Sequence, residues 1–127
     1  MENDLPHTVL VVDDTRLIRS FLKSLLESYE FEAAFACNGQ EAVTSWQQTD
    51  FQIILMDIEM PVMDGLAATR IIRQREQAEQ RRHTPIIGFS GGGMADPRGV
   101  CLAAGMDGFL AKPIAVRDAL DVIFSFV

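Results

Sequence analysis

The chain alternates short apolar runs with longer segments in which apolar residues recur every three or four positions. Apolar runs of this length are typical of strands that are covered on both faces. Between the first two runs, Leu17 to Leu26 has the spacing of an amphipathic helix, and similar segments follow the other runs. The pattern therefore predicts five strands that alternate with five helices. The predicted strands are Thr8–Val12, Ala33–Ala36, Gln52–Met56, Ile86–Phe89 and Gly108–Ala111.

The connections between these strands predict the layout of the sheet. Each one is long enough for a crossover helix, which favours a parallel sheet with helices on both faces, an α/β fold of the doubly wound (βα)5 type. Gly105 is expected to end the fourth helix, and the third helix is expected to end in an exposed polar stretch, Gln74 to Arg82. Because no segment is left over, we expect residues 1–127 to form a single domain with an ordered core from about residue 7 to residue 127.

Four of the apolar runs end in polar or charged side chains. The first leads into Asp13 and Asp14, the third into Asp57, the fourth into Ser90 and the fifth into Lys112. Parallel strands present their carboxyl ends at one edge of a sheet, and ligands bind at that edge. The sequence therefore predicts a crevice that contains three acids, a hydroxyl and an amine.

This combination of side chains suits phosphoryl chemistry assisted by a metal. Three neighbouring carboxylates repel one another unless a cation is present, and oxygen ligands favour Mg²⁺, or alternatively Mn²⁺, over zinc. A carboxylate can also attack phosphorus, while Lys112 and Ser90 could contact phosphoryl oxygens. A simpler alternative is that the acid pair only caps the first helix, a role for which Asp14 or Thr15 is suited.

Three motifs together resemble one known family. They are Val12–Asp14, Met56–Gly65 and Ala104–Ile114, and they cover nearly the whole chain in matching order and spacing. In these motifs the chain resembles the receiver domain of two-component response regulators, and especially the receivers of hybrid sensor histidine kinases. The resemblance implies a flavodoxin-like fold with strand order 2-1-3-4-5.

The resemblance also implies a role for each acid. Asp57 would accept a phosphoryl group from a phosphohistidine on a sensor histidine kinase or a histidine phosphotransfer protein. Asp14, Asp57 and the backbone carbonyl of Glu59 would bind Mg²⁺, and Asp13 would hold a metal-bound water. Lys112 would pair with the phosphoryl group, so that the domain catalyses its own phosphorylation and dephosphorylation without being a conventional enzyme.

A switch is implied by the same resemblance. Ser90 would be the switch hydroxyl and Phe109 the switch aromatic, and their movement would change the surface of the last two helices and the fifth strand for an effector. One departure from the family pattern follows Ser90. Receivers usually carry a small residue there, most often alanine, whereas this chain has three glycines in succession, Gly91, Gly92 and Gly93. We expect this loop to be more mobile and its ordering to cost more entropy.

The net charge, the length of the apolar runs and the cysteines limit the partners and the location that we expect for the protein. The net charge of −7 disfavours direct contact with nucleic acid. No signal-peptide pattern is present, and no apolar run approaches the length of about 20 residues that spans a bilayer. The two cysteines have no Cys-x-x-Cys partner, which favours buried thiols in a reducing cytoplasm over a zinc or disulfide framework.

Two other functions compete with the phosphoacceptor. Gly88 to Gly92 matches the G-x-S-x-G nucleophile elbow of hydrolases, but that site needs a histidine after the serine, and none follows Ser90. The second alternative is a protein-interaction module with the receiver fold that works without phosphorylation. The presence of Asp13, Asp14, Asp57, Ser90 and Lys112 together argues against it.

Overall fold

The computed structural model describes residues 7–126, and it contains the ten predicted elements in the predicted order. The remaining residues of the predicted domain, 1–6 and Val127, lie outside the described part. Strand bounds agree with the sequence prediction to within one residue at each end. The elements are β1 Thr8–Val12, α1 Arg16–Ser28, β2 Glu32–Ala36, α2 Gly39–Gln48, β3 Ile53–Asp57, α3 Gly65–Glu79, β4 Ile86–Ser90, α4 Pro97–Ala104, β5 Gly108–Ala111 and α5 Val116–Ser125.

The five strands form one parallel sheet in the order β2-β1-β3-β4-β5, which confirms the predicted flavodoxin-like topology. In register, Val12 of β1 lies beside Met56 of β3, and Asp57 lies beside Phe89 of β4. The three central strands therefore end at almost the same level. The polar residues that end or follow these strands consequently share one edge of the sheet.

Apolar clusters cover both faces of the sheet. On one face Trp46 of α2 and Ile72 of α3 pack against alternate residues of the central strands, and on the other Leu22 and Leu26 of α1 pack with Ile123 of α5. Each such buried side chain stabilises the fold by roughly 1.5–3 kcal/mol. The guanidinium of Arg81 lies 3.9 Å from the centre of the Trp46 ring, so the indole is enclosed on both sides.

The expected polar tail of the third helix is partly wrong. α3 continues to Glu79 and ends at Gln80, whose φ of 54° is left-handed. Within it Glu76 is buried, because its carboxylate accepts the Thr84 N–H at 2.9 Å and pairs with Arg73 at 2.8 Å. Helical spacing places Arg73 and Glu76 on one face of α3, and these contacts join the helix to the start of β4.

Candidate functional site

The three acids predicted at the strand ends meet in one crevice. Asp13 directly follows β1, Asp57 is the last residue of the neighbouring strand β3, and Asp14 follows Asp13. One carboxylate oxygen of each acid lies within 4.8 Å of the others. Asp13 and Asp57 are buried, whereas Asp14 is exposed, so the crevice is open to solvent on the Asp14 side.

Lys112 brings a cation to the buried part of the crevice. Its ammonium lies 3.0 Å from Asp13 Oδ2 and 3.3 Å from Asp57 Oδ2. Asp13 Oδ2 is buried, and its contact with the ammonium is an ion pair. Burial lowers the pKa of Lys112, but the two carboxylates outweigh it, and the net pKa is raised. The lysine therefore stays charged.

One ammonium does not balance three carboxylates. Burial raises the pKa of Asp57 from 3.8 to about 6, and the negative charge of Asp13 adds to this rise. The Glu59 N–H, which donates to Asp57 Oδ1 at 3.1 Å, and the Lys112 ammonium lower the pKa only in part. Three carboxylates that share one ammonium form a set of oxygen donors that fits a divalent cation.

Asp13 also helps to begin α1. Its Oδ1 accepts the Thr15 N–H at 2.6 Å, and Arg19 donates to its backbone carbonyl at 2.8 Å. Thr15 occupies the N-cap position, but its side chain makes no capping hydrogen bond. The cap and the site are therefore compatible, since Asp13 uses Oδ1 for the helix and leaves Oδ2 facing the crevice.

Gly65 packs directly against the backbone of Asp57, a contact that was not predicted from the sequence. The Gly65 N–H donates to the Ile58 carbonyl at 2.9 Å, and a Cβ at Gly65 would overlap the carbonyl of Asp57. Asp64 precedes it as the N-cap of α3 and accepts the Ala67 N–H at 2.8 Å. The feature of the sequence that could have indicated this contact is a glycine at the first position of a helix, eight residues after Asp57.

Ser90 lies at the end of β4 and is buried. Its hydroxyl donates to Glu59 Oε1 at 3.1 Å, and its carbonyl accepts the backbone N–H of Lys112 at 2.8 Å. From its position two residues after Asp57, the sequence predicts the Glu59 carboxylate near the mouth of the site, but it does not predict the contact with Ser90. The structure thus brings Ser90 next to the acid crevice, with its hydroxyl held by Glu59.

The glycine loop after Ser90 is open. Gly92 and Gly93 have φ values of 120° and 83°, which are left-handed conformations, and a Cβ on any of the three glycines would meet nothing within 4 Å. The Gly92 N–H donates weakly to the Ser90 hydroxyl oxygen at 3.4 Å.

Phe109 lies in β5, one strand further along the sheet, and is partly buried against the cluster on the α2–α3 face. It also lines a surface groove of about 470 Å³ between α4, β5 and α5. The structure therefore places the predicted switch aromatic next to the predicted effector surface. The groove is lined by Arg98, Phe109, Leu110, Ala111, Asp118, Asp121 and Val122.

Comparisons with known proteins agree with this fold and identify the family. Residues 9–124 match the response regulator receiver domain family, and the chain belongs to that family. The chain is 39% identical over 112 residues to the CAI-1 autoinducer sensor kinase/phosphatase CqsS of Vibrio cholerae, a match that covers 88% of this chain and 16% of CqsS. It spans between 3% and 16% of the length of eight such curated relatives, all of them signalling kinases.

Solved structures of receiver domains are similar as well. The receiver domain of sensor histidine kinase PA1611 from Pseudomonas aeruginosa, which has a magnesium ion coordinated in its active-site cleft, is 30% identical with a TM-score of 0.83. That match covers 95% of this chain and 97% of the other. The co-crystal structure of the Saccharomyces cerevisiae histidine phosphotransfer protein Ypd1 with the receiver domain of Ssk1 gives 25% identity and a TM-score of 0.86, covering 98% and 91% of the two chains.

These findings confirm that the chain is a receiver domain of two-component and phosphorelay signalling, related to those of hybrid sensor histidine kinases. Among the described residues, no helix is long and apolar enough to cross a membrane.

Proposed function

We propose that this domain, residues 1–127, accepts a phosphoryl group on Asp57 from a phosphohistidine and passes the signal to a partner. The observation that carries the proposal is the position of the Asp57 carboxyl group. It is buried at the end of β3, with Lys112 at 3.3 Å and the oxygens of Asp13 and Asp14 within 4.8 Å. A nucleophile, a cation and ligands for a metal therefore meet at one point.

The chemistry divides among the residues of the crevice. A carboxylate oxygen of Asp57 would attack the phosphorus, the bond from phosphorus to the donor imidazole would break, and the imidazole would leave with its electron pair. The N–H of Glu59 and the ammonium of Lys112 contact different oxygens of Asp57 and hold the carboxyl group in one orientation. Lys112 would then neutralise charge on the transferred group, because its ammonium already lies 3.3 Å from Asp57 Oδ2.

The proposed cation is Mg²⁺, with Mn²⁺ as a substitute. Asp14, Asp57 and the Glu59 carbonyl would bind it, and Asp13 would hold a water bound to the metal. Its chemical contribution is charge neutralisation between the carboxylates and the incoming phosphoryl oxygens. The magnesium ion in the PA1611 receiver, which shares this fold, supports the assignment.

The proposed partners lie upstream and downstream. The Ypd1–Ssk1 complex and the hybrid kinase relatives support a sensor histidine kinase or a histidine phosphotransfer protein as the donor. An effector would bind the groove between α4, β5 and α5 after Ser90 and Phe109 rearrange. Cys101 is buried as predicted, but Cys37 is exposed, so the expectation of two buried thiols is wrong for Cys37. The two free thiols are compatible with a reducing cytoplasm as the location.

The intact mass of the protein after incubation with acetyl phosphate tests the proposal. We expect a gain of one phosphoryl group in the presence of Mg²⁺ or Mn²⁺, and no gain with chelator or in Asp57→Asn. Circular dichroism of Asp57→Asn controls for folding. A wild-type protein that is folded but neither binds the metal nor gains mass would instead favour a module that works without phosphorylation.

A further inference from the structure

The Glu59 side chain makes a contact for which the proposed chemistry has no use. From the segment after β3 its carboxylate reaches the end of β4, where Oε1 accepts the Ser90 hydroxyl at 3.1 Å. Glu59 itself is exposed, whereas Ser90 is buried. An exposed carboxylate thus fixes the direction of a buried hydroxyl that lies beside the phosphoacceptor.

The Ser90 hydroxyl cannot serve two acceptors at once. A serine hydroxyl has one proton to donate, and in the resting protein that proton points to Glu59. A phosphoryl group on Asp57 brings three strong acceptor oxygens and about −1.5 to −2 charges to the same crevice. The phosphoryl group must therefore take the hydroxyl away from the carboxylate, whose charge makes this hydrogen bond stronger than a neutral one.

The glycine loop increases the importance of this contact. Gly91, Gly92 and Gly93 carry no side chains, and their surroundings within 4 Å of a Cβ position are empty. The Ser90 backbone is held by the Lys112 backbone N–H, which donates to its carbonyl at 2.8 Å, whereas the contacts of the Ser90 hydroxyl are those with Glu59 and, weakly at 3.4 Å, with the Gly92 N–H. A change at Glu59 should consequently reach the loop through Ser90.

We infer that Glu59 is a positioning residue that holds the Ser90 hydroxyl in the resting state and so opposes the rearrangement that follows phosphorylation. The inference rests on the proposed function, because it assigns Ser90 the role of the switch hydroxyl. It gives the Glu59 side chain a task that is separate from metal binding by its backbone carbonyl. Loss of the carboxylate should shift the switch toward the phosphorylated arrangement.

The resting contact is tested first in protein without metal or phosphodonor. In ¹⁵N-labelled protein, Glu59→Ala should shift the amide resonance of Gly92, because the released hydroxyl no longer holds its direction. In a Ser90→Ala background the same Glu59 change should leave the Gly92 resonance in place. An equal shift in both backgrounds, or no shift in either, would overturn the inference without touching the phosphoacceptor assignment.

The effect on the switch is tested with beryllofluoride, a phosphoryl analogue, and Mg²⁺. We expect Glu59→Ala to lower the dissociation constant of the analogue about 3- to 10-fold more in the Ser90 background than in Ser90→Ala. Direct repulsion between the Glu59 charge and the analogue is present in both backgrounds and cancels in this cycle. Glu59→Gln, which keeps an acceptor but loses the charge, should fall between wild type and Glu59→Ala.

Each result of the cycle has a defined meaning. Equal effects of Glu59→Ala in both backgrounds, or weaker analogue binding by Glu59→Ala, would overturn the inference, since Glu59 would then not act by holding Ser90 at rest. Failure of the folded wild-type protein to bind the analogue would overturn the proposed function, and the inference with it.

Discussion

The two loops that flank the crevice are built in opposite ways. The β3–α3 loop, residues 58–64, is held by three backbone hydrogen bonds of 2.8 to 2.9 Å. The Ile58 N–H donates to the Phe89 carbonyl, the Gly65 N–H to the Ile58 carbonyl, and the Gly39 N–H to the Met63 carbonyl. The β4–α4 loop, residues 91–96, begins with three glycines whose surroundings are empty. One side of the site is therefore fixed and the other is free to adjust.

This difference matches the two tasks that we propose for the site. The phosphoacceptor and the metal ligands must be held in place before the reaction, because phosphoryl transfer depends mainly on position and charge. The switch hydroxyl must be able to move afterwards. A rigid loop beside Asp57 and an open loop beside Ser90 separate these needs, and substitutions in each loop should therefore have effects of different size and sign.

Gly65→Ala should have the largest effect, because the fixed loop has no space for a Cβ. The added methyl group would overlap the Asp57 carbonyl and press on Met56, so we expect a loss of about 3 kcal/mol of stability and displacement of the phosphoacceptor. Urea unfolding and phosphorylation by acetyl phosphate measure the two consequences. A stability within error of wild type would contradict the proposed rigidity of this loop.

Asp57→Asn should stabilise the metal-free protein at neutral pH. A pKa raised from 3.8 to about 6, which already includes the attraction to Lys112, means that ionised Asp57 costs up to about 3 kcal/mol. The folded state retains its proton longer, so this cost appears as the pH rises from about 4 to about 6 and is absent below that range. Unfolding with chelator at about pH 4 and about pH 7 should show the variant's advantage only at the higher pH.

Added Mg²⁺ provides the control for that experiment. The cation should stabilise wild type more than Asp57→Asn, because it neutralises the carboxylate that the variant lacks. An advantage of the variant that is independent of pH would assign its stability to something other than the charge of Asp57.

Gly92→Ala should have a smaller, local effect. The position has space, but its φ of 120° is unfavourable for an L-residue, so we expect a loss of about 1 kcal/mol. The loss should arise from the backbone of the open loop and should leave the metal affinity of the crevice close to that of wild type. Isothermal titration with Mg²⁺ checks the second part, and a large loss of metal affinity would show that the two loops are coupled.

Gly91→Ala should have the smallest effect, and its sign should be reversed. Gly91 has neither a crowded surrounding nor a left-handed φ, so alanine should stabilise the protein by about 0.5 kcal/mol through the unfolded state. It is the matched control for Gly92→Ala in the same loop, and thermal unfolding of the pair tests the comparison. Destabilisation by Gly91→Ala would mean that the loop is more constrained than its empty surroundings indicate.

The sheet and the composition of the crevice followed from the sequence, because both depend on local pattern and topology. Apolar runs ending at Asp57 and just before Lys112 mark strand ends, and parallel order brings those ends together whatever lies between them. The family motifs added the strand order. These inferences needed no knowledge of side-chain directions.

Contacts across the fold were not predictable in this way. The meeting of Glu59 with Ser90 depends on two side-chain conformations 31 residues apart in the chain. Similarly, Arg73 donates to Asp107 of the α4–β5 turn at 2.9 Å and to the buried Glu76 at 2.8 Å, so two polar residues of α3 are drawn inward from an otherwise exposed stretch. A polar residue in a helix pattern is normally exposed, so no local signal distinguishes such partners before the chain is folded.

The enclosed indole of Trp46 gives the protein a built-in optical reporter. It is the only tryptophan of the chain, and it lies between the apolar cluster and the Arg81 guanidinium, at the side where Arg81 also contacts Asp50 before β3 begins. The acid crevice is at the other end of β3. Its fluorescence should therefore follow global unfolding while staying nearly constant on metal binding, and a change of emission on phosphorylation would reveal a rearrangement that travels the full length of the sheet.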